Sequence, residues 1–320
     1  MRLVLVKLII AALCCIVAPA FGQVWPERPV RITLPFPPGG GTDYLARLLA
    51  EKLTASLGQS VIVENRVGAG GTIGSNFVAK APPDGYTLLV NAGSIAIVAT
   101  MYPKLPYDTV KDFAPISMIA TQPHVVVVHS SVPAKSVSEL IDWIKSNPGK
   151  ANYGSAGHGT GTHLATELFI YQAKVNMQHV PFKGAGPAVL AAVAGDVPIM
   201  IATVSAVLPQ VQAGKLKLLA ITTPRRLPMY NLPTVSESGV PGYEYTTWYA
   251  MFTTAGVPRP IIDKLNSHLS KILASADVKD TVEKQGLEAG TSTPEELGTL
   301  LKREIDVWGN VVRAANLKPE

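Results

Sequence analysis

The sequence predicts two α/β lobes, each a mostly parallel sheet flanked by helices, over 320 residues. Three observations carry that expectation. Strand-like and helix-like segments alternate from residue 30 onward, the rhythm of parallel sheets with helices on their faces. A second such series begins near residue 124. Both series repeat one local design, a strand followed by a glycine-rich loop and a helix start: PFPPGGGTD at 35–43 and YGSAGHGTGTH at 153–163.

The elements follow in order. Residues 30–35 form a strand, and 43–57 form a helix in which Leu45, Leu48, Leu49 and Leu53 fall on one face and Gly58 closes the last turn. SVIVE at 60–64 is a strand, 72–80 a short helix after a glycine turn, and YTLLVN at 86–91 a third strand. In the second series VVVV at 125–128 is a buried strand, 138–146 a helix, 151–155 a strand, and 162–173 a helix. Strands at 197–202 and 216–222 complete the second sheet. A strand at 248–254 and amphipathic helices at 259–274 and 294–314 close the chain. These readings assign 23–121 with 246–320 to lobe 1 and 122–245 to lobe 2.

Residues 1–22 carry Arg2 and Lys7, an apolar run and then small residues, the pattern of a secretory leader. Cleavage is expected after Ala20 or Gly22; the competing readings are an uncleaved anchor and a lipoprotein at Cys14 or Cys15, although Ala-Ala-Leu-Cys lacks the usual lipobox order. The apolar run at 8–17 is too short to span a bilayer. Cys14 and Cys15 both lie in this leader, so the mature chain is expected to have no disulfide, thiolate metal site or cysteine nucleophile. That combination suits a periplasmic protein. Removing Arg2 and Lys7 lowers the net charge from +5 to +3. No basic stripe follows, which argues against nucleic acid as a partner.

Helix N-termini carry unpaired N–H groups at the positive end of the helix dipole and so favour anions. In the first loop Gly39, Gly40 and Gly41 leave room for a ligand oxygen, and Thr42 or Asp43 supplies the N-cap. The second loop offers Ser155, Gly157, Thr160, Gly161 and Thr162, and a third, GAGGT at 68–72, also opens a helix. Nucleotide motifs fail at all three, since neither G-x-x-x-x-G-K-[ST] nor G-x-G-x-x-G is completed. A secreted serine hydrolase using Ser155 and His163 remains an alternative, although Tyr-Gly-Ser-Ala-Gly lacks the leading glycine of the nucleophile elbow. His163 reads more simply as a helix N-terminal side chain bonding the loop or the ligand. His158 and His163 are spaced off one helical face, and no HExxH is present, so neither a metal nor another cofactor is expected. Trp248, Tyr249 and Phe252 read as strand packing, with a wall of the cleft as the alternative.

The chain resembles the substrate-binding proteins of tripartite tricarboxylate transporters, also called the Bug family. The residues that carry this are WPERPVRITLPFPPGGGTD, VIVENRVGAGGTIGSNFVAKAPPDGYTLL, NYGSAGHGTGTHLA, HVPFKGAGPAVLAAVAGDVPIMI, AGKLKLLAITTPRR and LPTVSESGVPGYE, in order from Trp25. The resemblance implies a two-lobed periplasmic-binding-protein fold of the type II flytrap kind. It implies no enzyme activity, a small organic acid as ligand, a monomer, and delivery to inner-membrane permease subunits. A protein that presents its loaded form to a sensor is a further reading. The resemblance places ligand contacts at Phe36, Pro37, Pro38, Gly39, Gly40, Gly41 and Asp43, and at Asn91 and Ser94 after the third strand. From the second lobe it implies Ser155, Gly157, Thr160, Gly161 and His163, with Lys183, Gly184 and Thr203. No arginine clamp for a second carboxylate and no acidic pocket for an amine is evident in the sequence.

Overall fold

The computed structural model describes residues 25–102, 104–227 and 230–314. The expected leader lies outside them. The first half runs β1 (Val30–Leu34), α1 (Gly41–Leu57), β2 (Val61–Asn65), α2 (Thr72–Ala79), β3 (Thr87–Ala92) and α3 (Ser94–Met101). In α1 the apolar spacing works as read: Leu45, Leu49 and Leu53 are fully buried, and Gly58 at φ 71° ends the helix by returning its N–H to Thr54. β1 lies between β2 and β3, parallel to both.

The chain then enters β4 (Phe113–His129), a 17-residue strand that runs through both halves. Beyond it lie α4 (Val137–Ser146), β5 (Asn152–Ser155), α5 (Gly161–Ala173), β6 (Gln178–Pro181), α6 (Ala185–Ala194), β7 (Ile199–Thr203), α7 (Val204–Gln212) and β8 (Leu216–Ile221). The return is made by β9 (Thr246–Thr254), followed by α8 (Arg259–Ala274), α9 (Ala276–Glu283), β10 (Glu288–Ala289) and α10 (Pro294–Ala314). No helix of the described residues is long and apolar enough to cross a membrane.

Sheet order explains the two-lobed shape. In the first half β2, β1 and β3 are parallel, β9 runs against β3, and β4 runs against β9. In the second half β6, β5 and β7 are parallel, and the end of β4 lies antiparallel between β7 and β8. Each half is thus mostly of one sense, with β9 reversed in one and β4 in the other; the two-residue β10 also opposes β4. Along β4 the valines alternate between layers: Val126 and Val128 join one core cluster, Val125 and Val127 another. The largest cluster joins both halves, with Phe252 and Leu89 from the first, Tyr153 and Phe169 from the second, and Trp308 and Leu301 of α10 bridging them.

Two features differ from the sequence expectation. β4 begins 12 residues before the valine run, because Pro115 and Pro123 mask a strand that tolerates them at register shifts and at its pairing limit. The N-cap of α1 is Gly40, so Thr42 and Asp43 stand inside the first turn rather than capping it.

Candidate ligand-binding cleft

A cavity of about 1040 Å³ opens between the halves. The first half contributes Phe36, Pro37, Gly71 and Ser94; the second contributes Thr160, Gly161 and His163; Trp248 and Tyr249 of β9 and Trp308 of α10 join the wall. Four helices begin there. Thr42 lies in the first turn of α1, Gly71 caps α2, Gly93 caps α3, and Thr160 caps α5. None of the four has a side-chain cap on its orphan amides. By contrast α4, elsewhere, is capped by Ser136, which accepts the Glu139 N–H at 3.2 Å.

The first loop is held from behind. The Asp43 carboxylate accepts from Gly39 N–H (3.1 Å), from Arg47 Nε and Nη2 (both 3.0 Å) and from Asn65 Nδ2 (3.1 Å). The Arg47 guanidinium, then Asn65 and Gly39, hold its pKa at about 2 against the cost of burial. Asn65 Nδ2 also donates to the Phe36 carbonyl at 3.0 Å. The charge of Asp43 therefore fixes the loop and one of its amides.

The second loop is tied by hydroxyls. Thr160 Oγ1 donates to the Gly157 carbonyl (2.7 Å), Thr162 Oγ1 accepts the Ala156 N–H (2.8 Å), and Gly157 sits at φ 128°, where a side chain would be strained. His163 Nδ1 accepts the Gly159 N–H at 3.0 Å, so its proton is on Nε2, 3.8 Å from Glu167. Ser155 is fully buried, with Oγ 2.6 Å from His179 Nε2. The pairing of Ser155 with His163 that a hydrolase reading requires is not formed, because the Gly159 amide and the Ser155 hydroxyl take different histidines.

His158, His163 and His179 meet, each with a nitrogen within 4.8 Å of the others. Their spacing in sequence hid this, since His179 comes from β6. The His163 and His179 rings stack at 4.1 Å and 13°. The parallel planes of His163 and His179 keep their in-plane lone pairs from converging on one point, and His163 Nδ1 is already taken by the Gly159 N–H, so these two rings as they stand do not share an ion. Burial, then the other histidines, lowers His163 to about 3; burial and His158 lower His179 to about 4. Both are neutral at pH 7. Glu167, bonded by the Tyr153 hydroxyl, is pushed up by burial.

Of the residues expected at the site, Phe36, Pro37, Ser94, Thr160, Gly161 and His163 line the cavity. Pro38, Gly39, Gly40, Gly41, Asp43, Ser155 and Gly157 stand in the supporting loops but off the wall. Asn91 is buried, donating to Ser75 Oγ (3.3 Å) and accepting the Ala92 N–H (2.8 Å). Lys183 is exposed away from the cavity, Gly184 donates its N–H to the Ala156 carbonyl (3.1 Å), and Thr203 caps α7. The sequence reading missed His158, His179, Glu167 and Glu304 on the wall; Trp248 and Tyr249, read first as strand packing with a cleft wall as the alternative, line the cavity. The repeated glycines at 68–71 had marked the α2 corner.

Comparison with known proteins agrees with this geometry. Residues 45–317 match the family described as the tripartite tricarboxylate transporter family receptor. Protein BugT of Bordetella pertussis is 37% identical over 320 residues, 99% of this chain and 98% of BugT. Rpa4515 of R. palustris, solved with adipate, is 36% identical with a TM-score of 0.76, over 92% of this chain and all of that one. MatC (Rpa3494) from Rhodopseudomonas palustris with bound malate is 34% identical with a TM-score of 0.73, over 90% of this chain and all of MatC. A receptor-family match along most of the chain, with solved relatives of the same fold, establishes that this protein belongs to the tripartite tricarboxylate transporter receptor family of solute-binding proteins.

Proposed function

We propose that this protein is a periplasmic carrier that captures a small organic acid between its lobes and delivers it to a tripartite tricarboxylate-type permease in the inner membrane. The observation that carries this is the convergence of four uncapped helix N-termini from both halves on one cavity. Orphan amides and helix dipoles are worth about 0.3–1 kcal/mol each toward an anion at exposed sites, and more when partly buried. The solved relatives with adipate and malate support a carboxylate as that anion. The lobes divide at 121/122 and 245/246 in this reading, where β4 and the start of β9 cross between the halves. The protein acts as a monomer and is not an enzyme. Buried Ser155 supports the second point, its hydroxyl bonded to His179 and to the Gly157 N–H (3.1 Å).

Calorimetry with mono-, di- and tricarboxylates tests the reading. Binding of at least one acid is expected, with a stability gain of about 2.7 kcal/mol at a hundredfold excess over Kd. A folded protein that takes up none of them overturns it. Pull-down of permease subunits by the loaded protein but not by the empty one separates delivery to a permease from presentation to a sensor.

A further inference from the structure

One carboxyl on the cavity wall is half used. Glu167 lines the cavity from α5, one turn past His163, and its side chain keeps 14% exposure. Oε1 accepts the Tyr153 hydroxyl, and Oε2 has no hydrogen-bond partner among the described residues. A carboxylate accepts at both oxygens and donates at neither, so this side chain has an acceptor to offer. Tyr153 is fully buried, and burial and then Glu167 push its hydroxyl up, so it stays the donor of this pair. The Tyr153 ring stacks on His179 (4.8 Å, 14°), and His179 stacks on His163 (4.1 Å, 13°). A packed column of rings therefore holds Glu167 at one oxygen and leaves the other free.

The surroundings select the kind of donor. His163 Nε2 is 3.8 Å from Glu167 Oε1, too far for a hydrogen bond. That imidazole stays neutral beside the carboxyl: burial, then the neighbouring histidines, lower its pKa to about 3. Glu167 itself is pushed up by burial, against the pull of the Tyr153 bond. A ligand cation brought here gains too little from the carboxyl to offset its lost water, and a neutral donor fits better. A second ligand carboxylate would stand against Glu167, and no lysine or arginine lines the cavity among the described residues to pair it.

Separation sets the rest. In the carrier reading the acid group takes amides in the first turn of α5. Glu167 lies four to six residues past Gly161–His163, about 6–9 Å along the axis, and its side chain leans back toward the helix start. A hydroxyl on the carbon next to the acid falls short of that gap, whereas a hydroxyl at the far end of a short chain spans it. Leu164 of α5 and Ile97, Val98 and Met101 of α3 line the same cavity and suit a run of methylenes.

Building on the carrier reading, we propose that Glu167 is a specificity-determining residue of this cleft, and that the ligand is a monocarboxylate whose terminal hydroxyl donates to Glu167 Oε2 while its acid group lies at the helix starts.

The test is calorimetry on the whole mature protein with 6-hydroxyhexanoate, hexanoate and adipate, which share one chain length and differ only at the far end. Wild type and Glu167→Gln are compared, with folding of each checked by circular dichroism. Wild type should bind 6-hydroxyhexanoate at least tenfold more tightly than either of the others. Glu167→Gln keeps the shape and an oxygen for Tyr153, but turns the free acceptor into an amide donor and removes the charge. Its preference for 6-hydroxyhexanoate over adipate should fall at least tenfold, a change of selectivity that a merely structural glutamate would not produce. Wild-type binding of adipate or hexanoate as tight as that of 6-hydroxyhexanoate overturns the proposal and leaves the carrier reading intact. An unchanged preference in folded Glu167→Gln overturns the role of Glu167. If that variant does not fold, the wild-type order of the three acids still decides the ligand class. No binding of any of the three by the folded wild type overturns the proposal, and the wider panel of acids then decides the carrier reading separately.

Discussion

Acid should destabilise this protein well before its carboxylates titrate. His124 is buried at the junction of the halves, with Nδ1 3.2 Å from the Gln122 carbonyl and its ring edge-on to Tyr245 at 5.1 Å. Burial lowers its pKa to about 4, and burial with two neighbouring histidines lowers that of His163 to about 3, both from 6.5. A folded-state pKa below the unfolded one means that the unfolded chain binds the proton first. Stability is therefore unaffected above about pH 6.5 and falls as pH drops toward 4 for His124 and toward 3 for His163. At about 1.4 kcal/mol per pH unit, each residue costs about 2 kcal/mol at pH 5, and the pair about 4 kcal/mol. That is a large part of the 5–15 kcal/mol typical of a folded domain. His179 shifts in the same direction. Glu167, raised by burial, takes its proton first in the fold and offsets part of the loss. Asp43, held at about 2, stays charged throughout this window and contributes only below its ordinary value of 3.8. Urea unfolding at pH 7 and pH 5 measures the difference, and a His124→Gln, His163→Asn double variant should lose most of it. A midpoint that does not move between the two pH values, or a double variant with the wild-type drop, refutes the assignment of these histidines as buried neutral groups.

Three further outcomes follow from the same contacts. Asp43→Asn removes the charge that holds Arg47 and Gly39, so the melting temperature should fall by the equivalent of about 1–3 kcal/mol while ligand affinity changes little, because Asp43 is off the cavity wall. Gly40→Val should keep the fold, since its φ is −86° and a β-carbon there meets nothing within 4 Å, but weaken binding by placing a branched side chain at the N-cap of α1, whose amides the proposed function gives to the ligand; Gly161→Leu should abolish binding, since its β-carbon would lie 2.9 Å from Tyr245 Oη and 3.0 Å from Thr247 Oγ1, both on the cavity wall. Calorimetry on both variants checks these outcomes. Ser155→Ala should cost about 1–3 kcal/mol in chemical denaturation, by leaving the buried Gly157 N–H and His179 without their shared partner, and ester turnover that disappears with Ser155 would contradict a purely structural serine.

Much of this was legible where local chemistry decides. The leucine spacing of α1, the valine run of β4 and the glycines before α1 and α5 each state their structure within a few residues. The wall of the cleft was less legible, because it is made by residues that meet only through the sheet order. His179 reaches His163 because β6 pairs β5 in parallel, and Glu304 reaches the cavity because α10 packs back across both halves. A spacing argument sees His158 and His163 as a mismatched pair and cannot see the third ring. The acidic character of the wall was invisible for the same reason: Glu167 lies one turn past His163 on α5, and Glu304 far along the chain on α10. Asp43, placed at the site by the family resemblance and read as a candidate N-cap from the sequence, instead has its charge paired by Arg47 one turn later.

The choice of amides over cations suits a carrier that must also let go. An arginine pair to a carboxylate is strong in either lobe alone, because both of its hydrogen bonds come from one side chain. Amides at helix starts are weak singly and depend on position. In the proposed function α1, α2 and α3 present theirs from one lobe and α5 from the other. A ligand between the lobes gathers both sets only while the cleft is closed; opening removes the α5 set or the other three at one stroke. Affinity is then coupled to lobe separation without any group having to move on its own. A permease that holds the lobes apart would lower affinity through geometry alone, and a lysine added to either lobe would weaken that coupling by holding the acid in the open cleft. Introducing Ser94→Lys tests this: it should raise equilibrium affinity while slowing ligand release in stopped-flow, and an accelerated release would contradict the argument.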